Sequence, residues 1–162
     1  MRTFAPASIA FALSLLLLGA CASEEATPEA AAEAKPARPQ ITMGNGEANW
    51  IVVDGMTREG ATFRFSEVVI DGNGWLVMHP FEDGKPNGKV YVGATYLGSG
   101  SSKDVSITVE PAPEKGDMFI VMLHRDVNEN QEFDFVFVDE FNVLDKAVFE
   151  GTTMVAHAVA AP

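Results

Sequence analysis

The segment "DVSITVE" (Asp104–Glu110) is the clearest fold signal in this sequence. Aliphatic residues occupy every second position, with Ser106 and Thr108 between them. In an extended chain this spacing puts the apolar side chains on one face and the hydroxyl groups on the other. The segment therefore predicts a β-strand with one buried face.

Short apolar runs of this kind recur along the chain. Gly, Pro, Asn and Asp separate them, as in Asp71–Gly74, and no segment keeps the 3.6-residue period of a helix. The pattern predicts an all-β domain over residues 48–162, an antiparallel β-sandwich of about seven or eight strands. The predicted strands are Asn49–Asp54, Thr62–Ile70, Trp75–His79, Lys89–Leu97, Asp104–Glu110, Met118–His124, Phe133–Val138 and Thr153–Val159.

The N-terminal segment predicts export and lipid anchoring. Its apolar run Ile9–Ala20 is shorter than the roughly 20 residues of a permanent membrane span, and it fits a signal peptide over residues 1–20. The sequence "LGAC" ends at Cys21, the one cysteine of the chain, and resembles the bacterial lipobox. Cys21 is therefore predicted to be lipidated. Ala22 follows the cysteine at the position where Gram-negative lipoproteins that stay in the inner membrane carry Asp. This resemblance favours the outer membrane, with the domain facing either the periplasm or the cell surface.

A spacer is predicted between the anchor and the domain, over residues 21–47. The segment Ala22–Gln40 consists mainly of Ala, Glu and Pro, and it offers too little apolar surface to offset the entropy of ordering. We expect a disordered tether. A transient helix through Ala30–Lys35 is the alternative, since Ala and Glu favour helix.

Composition restricts the classes of function. Residues 48–162 contain 8 Lys and Arg against 18 Asp and Glu, a net charge of −10, and no cysteine. Such a surface repels nucleic acid and anionic lipid headgroups, so neither is an expected partner of the domain. The absence of cysteine from these residues excludes thiol chemistry and cysteine-ligated metal there.

Three segments of the domain resemble a known family. They are "FSEVVIDGNGWLVMHP", "VYVGATYLGSGSSKDVSITVE" and "PEKGDMFIVMLHRDVNENQEFDF". In this order they resemble an uncharacterised extracellular domain, domain of unknown function 7282, which is frequent in secreted proteins of halophilic archaea. The matching elements are Gly74–His79, Gly93–Leu97 and Met122–Asn130, and the chain departs from the pattern at Gln131, where relatives often carry Gly. The resemblance covers Thr62–Phe137 and implies an immunoglobulin-like β-sandwich displayed at a cell surface, with no established reaction.

The segment "DVNENQEFD" (Asp126–Asp134) is a candidate calcium loop. Calcium takes six to eight oxygen ligands, and acidic or amide side chains at alternate positions can turn inward together. The predicted ligands are Asp126, Asn128, Asn130, Asp134 and the backbone oxygen of Glu132. Gln131 stands where such loops carry Gly, and Phe137 where they carry a bidentate Glu. The alternative is a polar turn whose side chains bond their own backbone.

A second metal hypothesis concerns copper, carried by histidine and methionine in the periplasm. Each histidine has a methionine nearby in sequence, giving the pairs His79 with Met78, His124 with Met122 and His157 with Met154. Imidazole and thioether together suit copper. The alternative is that these residues pack structurally, because methionine commonly fills cores.

Catalysis is not expected. The chain has no Gly-x-Ser-x-Gly elbow and no His-Glu-x-x-His motif. The remaining expectation is a structural or ligand-binding domain of the cell envelope, bound to the membrane by its lipid and to an unknown protein or glycan partner.

Overall fold

The computed structural model describes residues 40–162 of the 162-residue chain. The predicted signal peptide, Cys21 and the tether up to residue 39 lie outside the described residues. The described part contains strands and no helix, so it has no helical segment that could cross a membrane. The strands are β1 (Thr42–Gly44), β2 (Trp50–Ile51), β3 (Thr57–Glu59), β4 (Thr62–Ile70), β5 (Gly74–Glu82), β6 (Lys85–Pro86), β7 (Gly93–Leu97), β8 (Gly100–Thr108), β9 (Met118–Arg125), β10 (Phe149–Glu150) and β11 (Thr153–Ala160).

The strands form two sheets. The large sheet has the order β1-β11-β9-β5-β6, with β10 beside β11 and β7 beside β5. The small sheet is centred on β4, which pairs with β2, β3 and β8. All pairs are antiparallel except β1 with β11. The prediction of an all-β sandwich is confirmed.

The main core lies between the inner faces of the two sheets. Phe63 of β4 is fully buried and packs edge-to-face on Phe119 of β9, with ring centroids 5.5 Å apart. The alternating segment that predicted a strand puts Val105 and Ile107 of β8 into this core. Strand β9 lies between β5 and β11 and is buried along both faces, and its residues from Met118 to Leu123 are all apolar.

The large sheet is also covered on its outer face. Residues 126–148, which we call the covering segment, connect β9 to β10 and pack over β5 and β9. Beneath them a second cluster contains Ile120, Met122 and Ala156. The domain therefore has a third layer that consists of irregular chain.

The predicted strand Phe133–Val138 is wrong. In this stretch the structure has only an isolated bridge between Phe137 and Val143. The amide of Asp134 donates to the carboxylate of Asp145 and that of Phe135 to the carbonyl of Phe133, so these donors are not free to form a sheet ladder.

The domain boundary and the number of strands also differ from the prediction. Thr42–Gly44 pair with β11, so the ordered domain begins before the predicted boundary at residue 48. The strand count exceeds seven or eight because several short strands, such as β6 and β10, lie at sheet edges.

We expect Phe63→Ala to lower the free energy of unfolding by about 3–5 kcal/mol, because it leaves a cavity between the sheets. Arg64→Ala, on the exposed face of the same strand, should change it by less than about 0.5 kcal/mol. Urea titration of the chain from residue 21 onward, with Cys21→Ser, measures both. Equal losses in the two variants would contradict the position of the core.

Candidate functional site

The first site residue, Asp126, follows β9 and is buried, with 4% of its surface exposed. Its carboxylate accepts hydrogen bonds from the amides of Asn130, at 3.3 Å, and Gln131, at 3.0 Å. Glu129 and Gln131 have positive φ angles of 56° and 60°, and this backbone folds the loop around the carboxylate.

Three other predicted ligands meet on the exposed side of this loop. The side-chain amides of Asn128 and Asn130 both donate to Oδ2 of Asp134, at 2.7 and 3.0 Å. The amide of Glu132 donates to Oδ1 of Asn130 at 2.8 Å, while the Glu132 side chain is exposed. The structure thus brings the predicted residues into one loop. The side chains of this loop bond its own backbone, as the polar-turn alternative expects.

Sequence reasoning missed Asp145, which is fully buried. Its carboxylate accepts from the amide of Val127, at 3.2 Å, and from that of Asp134, at 2.9 Å. It therefore joins the two ends of the Asp126–Asp134 loop. Asp145 lies eleven residues beyond Asp134, outside the spacing of a continuous calcium loop, so no local pattern marks it.

The carboxylates of Asp126 and Asp145 have no cationic side chain as a partner. Among residues 40–162 the one salt bridge joins Lys103 to Glu67. Within these residues, the hydrogen-bond donors to the two buried carboxylates are backbone amides.

Two histidines form a second cluster under the covering segment. His79 and His124 are 2% and 3% exposed, and their ring centroids are 5.7 Å apart. The Nδ1 atom of His79 lies 2.6 Å from the carbonyl oxygen of Val90, and that of His124 lies 2.6 Å from the carbonyl oxygen of Asp145. Because a carbonyl only accepts, each Nδ1 carries the proton, and each neutral ring has its lone pair on Nε2. Neither Nε2 atom has a hydrogen-bond partner.

Burial lowers the pKa of both histidines. Loss of solvent brings the pKa of His124 from 6.5 to about 4, against the opposing effect of its bond to Asp145, and the nearby His79 lowers it further. Loss of solvent also lowers the pKa of His79, which its bond to Val90 only partly offsets. Both rings are therefore neutral at pH 7.

The two rings line a cavity of about 500 Å³ between the large sheet and the covering segment. Most of the other lining side chains are apolar, including Met122 and Phe135, and Lys146 is the charged residue among them. Such a cavity is large enough for a small ligand.

The third histidine does not join this pair. His157 is half-buried, and its Nε2 atom lies 2.7 Å from Oδ1 of Asn45. Met78 belongs to the main core on the opposite face of the sheet. The copper hypothesis named three histidines, and the structure brings two of them together.

Two glycines of the family-like pattern have a structural explanation. A Cβ at Gly74 would collide with the carbonyl oxygen of His124, and one at Gly93 would lie 2.5 Å from that of Thr108. Glycine at these positions allows β5 to approach β9 and β7 to approach β8.

Within residues 40–162, no group of three or more His, Cys, Asp or Glu side chains has the geometry of a metal site. The Asp126–Asp134 loop combines carboxylates with asparagine amides, and the histidine pair combines imidazole with thioether. Each of these two clusters therefore includes a residue type, asparagine or methionine, outside the four types named above.

Comparison with known proteins gives a family and two relatives. The family model described as Domain of unknown function (DUF7282) matches residues 49–160. Cell surface glycoprotein 1 and Cell surface glycoprotein 2 of Haloarcula hispanica are each 32% identical to this chain over 75 residues. The match covers 43% of this chain and 8% of each glycoprotein, so the chain spans a small part of these relatives. No solved structure gives a significant match.

We expect the free energy of unfolding to fall as the pH is lowered from about 7 to about 5. Below about pH 6.5 the histidines of the unfolded chain take up protons, whereas the buried histidines of the folded chain remain neutral. The free energy of unfolding therefore falls as the pH drops from the histidine pKa of the unfolded chain towards that of the folded chain. For His124 the shift from 6.5 to about 4 corresponds to roughly 3 kcal/mol in full.

The matched variants are His79→Asn and His157→Asn, compared by urea titration at each pH. Asparagine at position 79 can still donate to the Val90 carbonyl but does not titrate, so the pH dependence should flatten. The half-buried His157 should contribute less. A pH dependence in His79→Asn as steep as that of the unsubstituted chain would contradict a buried neutral ring.

Proposed function

This chain belongs to the DUF7282 family, and on that premise we propose that it is a lipid-anchored surface module of the cell envelope, with a structural or ligand-binding role and stabilised by calcium. The two similar proteins carry the name cell surface glycoprotein, which supports a place at a cell surface. The lipobox-like sequence ending at Cys21 supports lipid attachment, and Ala22 after it favours the outer membrane, on its periplasmic or external side. A structural or ligand-binding role, not a catalytic one, is part of this proposal.

The buried carboxylates of Asp126 and Asp145 are the observation that carries the calcium part. Burying a charge is costly unless an opposite charge or several donors compensate it. Each carboxylate accepts two amide hydrogen bonds and forms no salt bridge with a cationic side chain of the described residues. A divalent cation in the loop would supply the missing positive charge.

The loop also offers the oxygens that calcium takes. Asn128 and Asn130 direct their amide nitrogens at Asp134, and rotating each amide by half a turn would present oxygen instead. Asp145 contacts both ends of the loop and is the carboxylate available in place of the one missing at Phe137. We therefore assign Asp126, Asn128, Asn130 and Asp134, with the backbone of Glu132, as ligands, and add Asp145.

We expect roughly 10 mM calcium to stabilise the chain from residue 21 onward, carrying Cys21→Ser, by about 1–3 kcal/mol, as for extracellular sites of modest affinity. Asp126→Asn keeps an acceptor for the loop amides but removes a charge, so it should abolish most of this gain. Thermal unfolding with calcium and with a chelator measures the effect.

Asp104→Asn is the matched control, since Asp104 is exposed on β8 and also has a positive φ. It should keep the full response to calcium. If the unsubstituted chain has the same melting temperature in calcium as in chelator, the calcium proposal is overturned.

We expect Cys21→Ser, in the full chain expressed in a Gram-negative host, to move the protein from the membrane fraction to the soluble fraction. The substitution removes the thiol that receives the lipid, whereas Ser23→Ala leaves it in place and should remain membrane-bound. Fractionation with mass spectrometry of the N-terminal peptide tests this. Membrane association of Cys21→Ser equal to that of Ser23→Ala would contradict lipid anchoring.

A further inference from the structure

We propose that His79 and His124 bind a soft monovalent metal ion, Cu(I), at the floor of the cavity beneath the covering segment, with Met122 as a third ligand. This site takes none of its ligands from the calcium loop, although the backbone carbonyl of Asp145 orients His124, and it does not depend on the proposed surface role. It lies among the mostly apolar side chains that cover the outer face of the large sheet.

The protonation state of both rings is that of a metal ligand. In metal sites a histidine commonly donates one N–H to a carbonyl or carboxylate, which fixes the ring and leaves the other nitrogen free to bind. His79 and His124 donate in this way to the carbonyls of Val90 and Asp145. Their Nε2 atoms are buried without a partner, and leaving a buried acceptor unsatisfied is unfavourable. A bound cation would satisfy both.

The strand register places Met122 in the row between the two histidines. His79 pairs with Ile120 and His124 with Trp75, while Met122 pairs with Val77 in the row between them. The histidines therefore occupy opposite corners of one patch, and their rings approach to a centroid distance of 5.7 Å across it. Met122 lies on the same face and lines the same cavity.

The donor set and its surroundings favour Cu(I) over the common divalent ions. Thioether and imidazole are ligands for a soft ion, whereas calcium and magnesium require oxygen. No carboxylate lies among the residues that line this cavity, and its charged residue is Lys146. A single positive charge costs less to bury there than a double one.

The ion can reach the site along a row of methionines. Met43 of β1 is 49% exposed, and its register partner is Met154 of β11. Met154 is two residues from Ala156, which pairs with Met122, so it shares the outer face. All three methionines line the cavity, and together they lead from the surface to the histidines.

The test is an anaerobic titration with Cu(I) supplied as its acetonitrile complex, in competition with bicinchoninate. The protein is the chain from residue 21 onward with Cys21→Ser, so that a free thiol does not bind the metal. We expect one Cu(I) per chain and an X-ray absorption spectrum with two imidazole nitrogens and one sulfur. His79→Asn and His124→Asn keep a donor for Val90 and Asp145 and should lose binding at least tenfold, since the loss of an outer-shell partner alone costs roughly 10–100-fold.

Three further variants separate the outcomes. His157→Asn is the matched control and should bind as the unsubstituted chain does, and Asp126→Asn should also bind, which separates this site from the calcium loop. Met122→Leu preserves packing volume and should weaken binding and remove the sulfur signal, even if a histidine variant fails to fold. Full-affinity binding by folded His79→Asn, equal loss in His157→Asn, or a spectrum without imidazole nitrogen would each overturn the proposal.

Discussion

The outer layer of this domain depends on Asp145. Its carboxylate accepts the amides of Val127 and Asp134, and its carbonyl oxygen accepts the proton on Nδ1 of His124. One fully buried residue therefore fixes both ends of the Asp126–Asp134 loop and orients a ring on the sheet beneath. A buried carboxylate is costly without donors, so the two amide contacts keep the loop in one arrangement. The third contact, to His124, joins the covering segment to the sheet.

The covering segment gives the sandwich its distinctive surface. A two-layer sandwich would leave the outer face of β5 and β9 in solvent, and the side chains there would be polar. Here Phe133 and Phe135 pack on Trp75, His79 and His124, so the outer face carries an apolar layer of its own. Both candidate sites result from this arrangement: the acidic loop lies at the end of the sheet, and the histidine pair lies under the aromatic rings.

The regular part of the fold could be predicted from the sequence because its signals are local. Thr62–Ile70 is a strand with the predicted bounds, and the predicted strand Met118–His124 extends by one residue to Arg125. The covering segment could not be predicted. Its alternating Phe133, Phe135 and Phe137 have the spacing of a β-strand, and the hydrogen bond that fixes it joins the amide of Asp134 to Asp145, eleven residues away. Strand β8 begins at Gly100, before the predicted Asp104, because Gly100–Ser102 pair with β4, where cross-strand bonds override the weak propensity of Gly and Ser. The sequence marked His79 and His124, but only the sheet register and the covering segment bring them together.

The most direct measurement is the proton position on the two buried rings, by two-bond nitrogen–proton correlation in metal-free protein at neutral pH. If Asp145 and Val90 hold the rings through their carbonyls, both His79 and His124 should be neutral, with the proton on Nδ1 and a bare Nε2. A proton on Nε2 of His124, or a charged ring, would mean that Asp145 does not fix the covering segment to the sheet in this way. It would also contradict the arrangement of the histidine site.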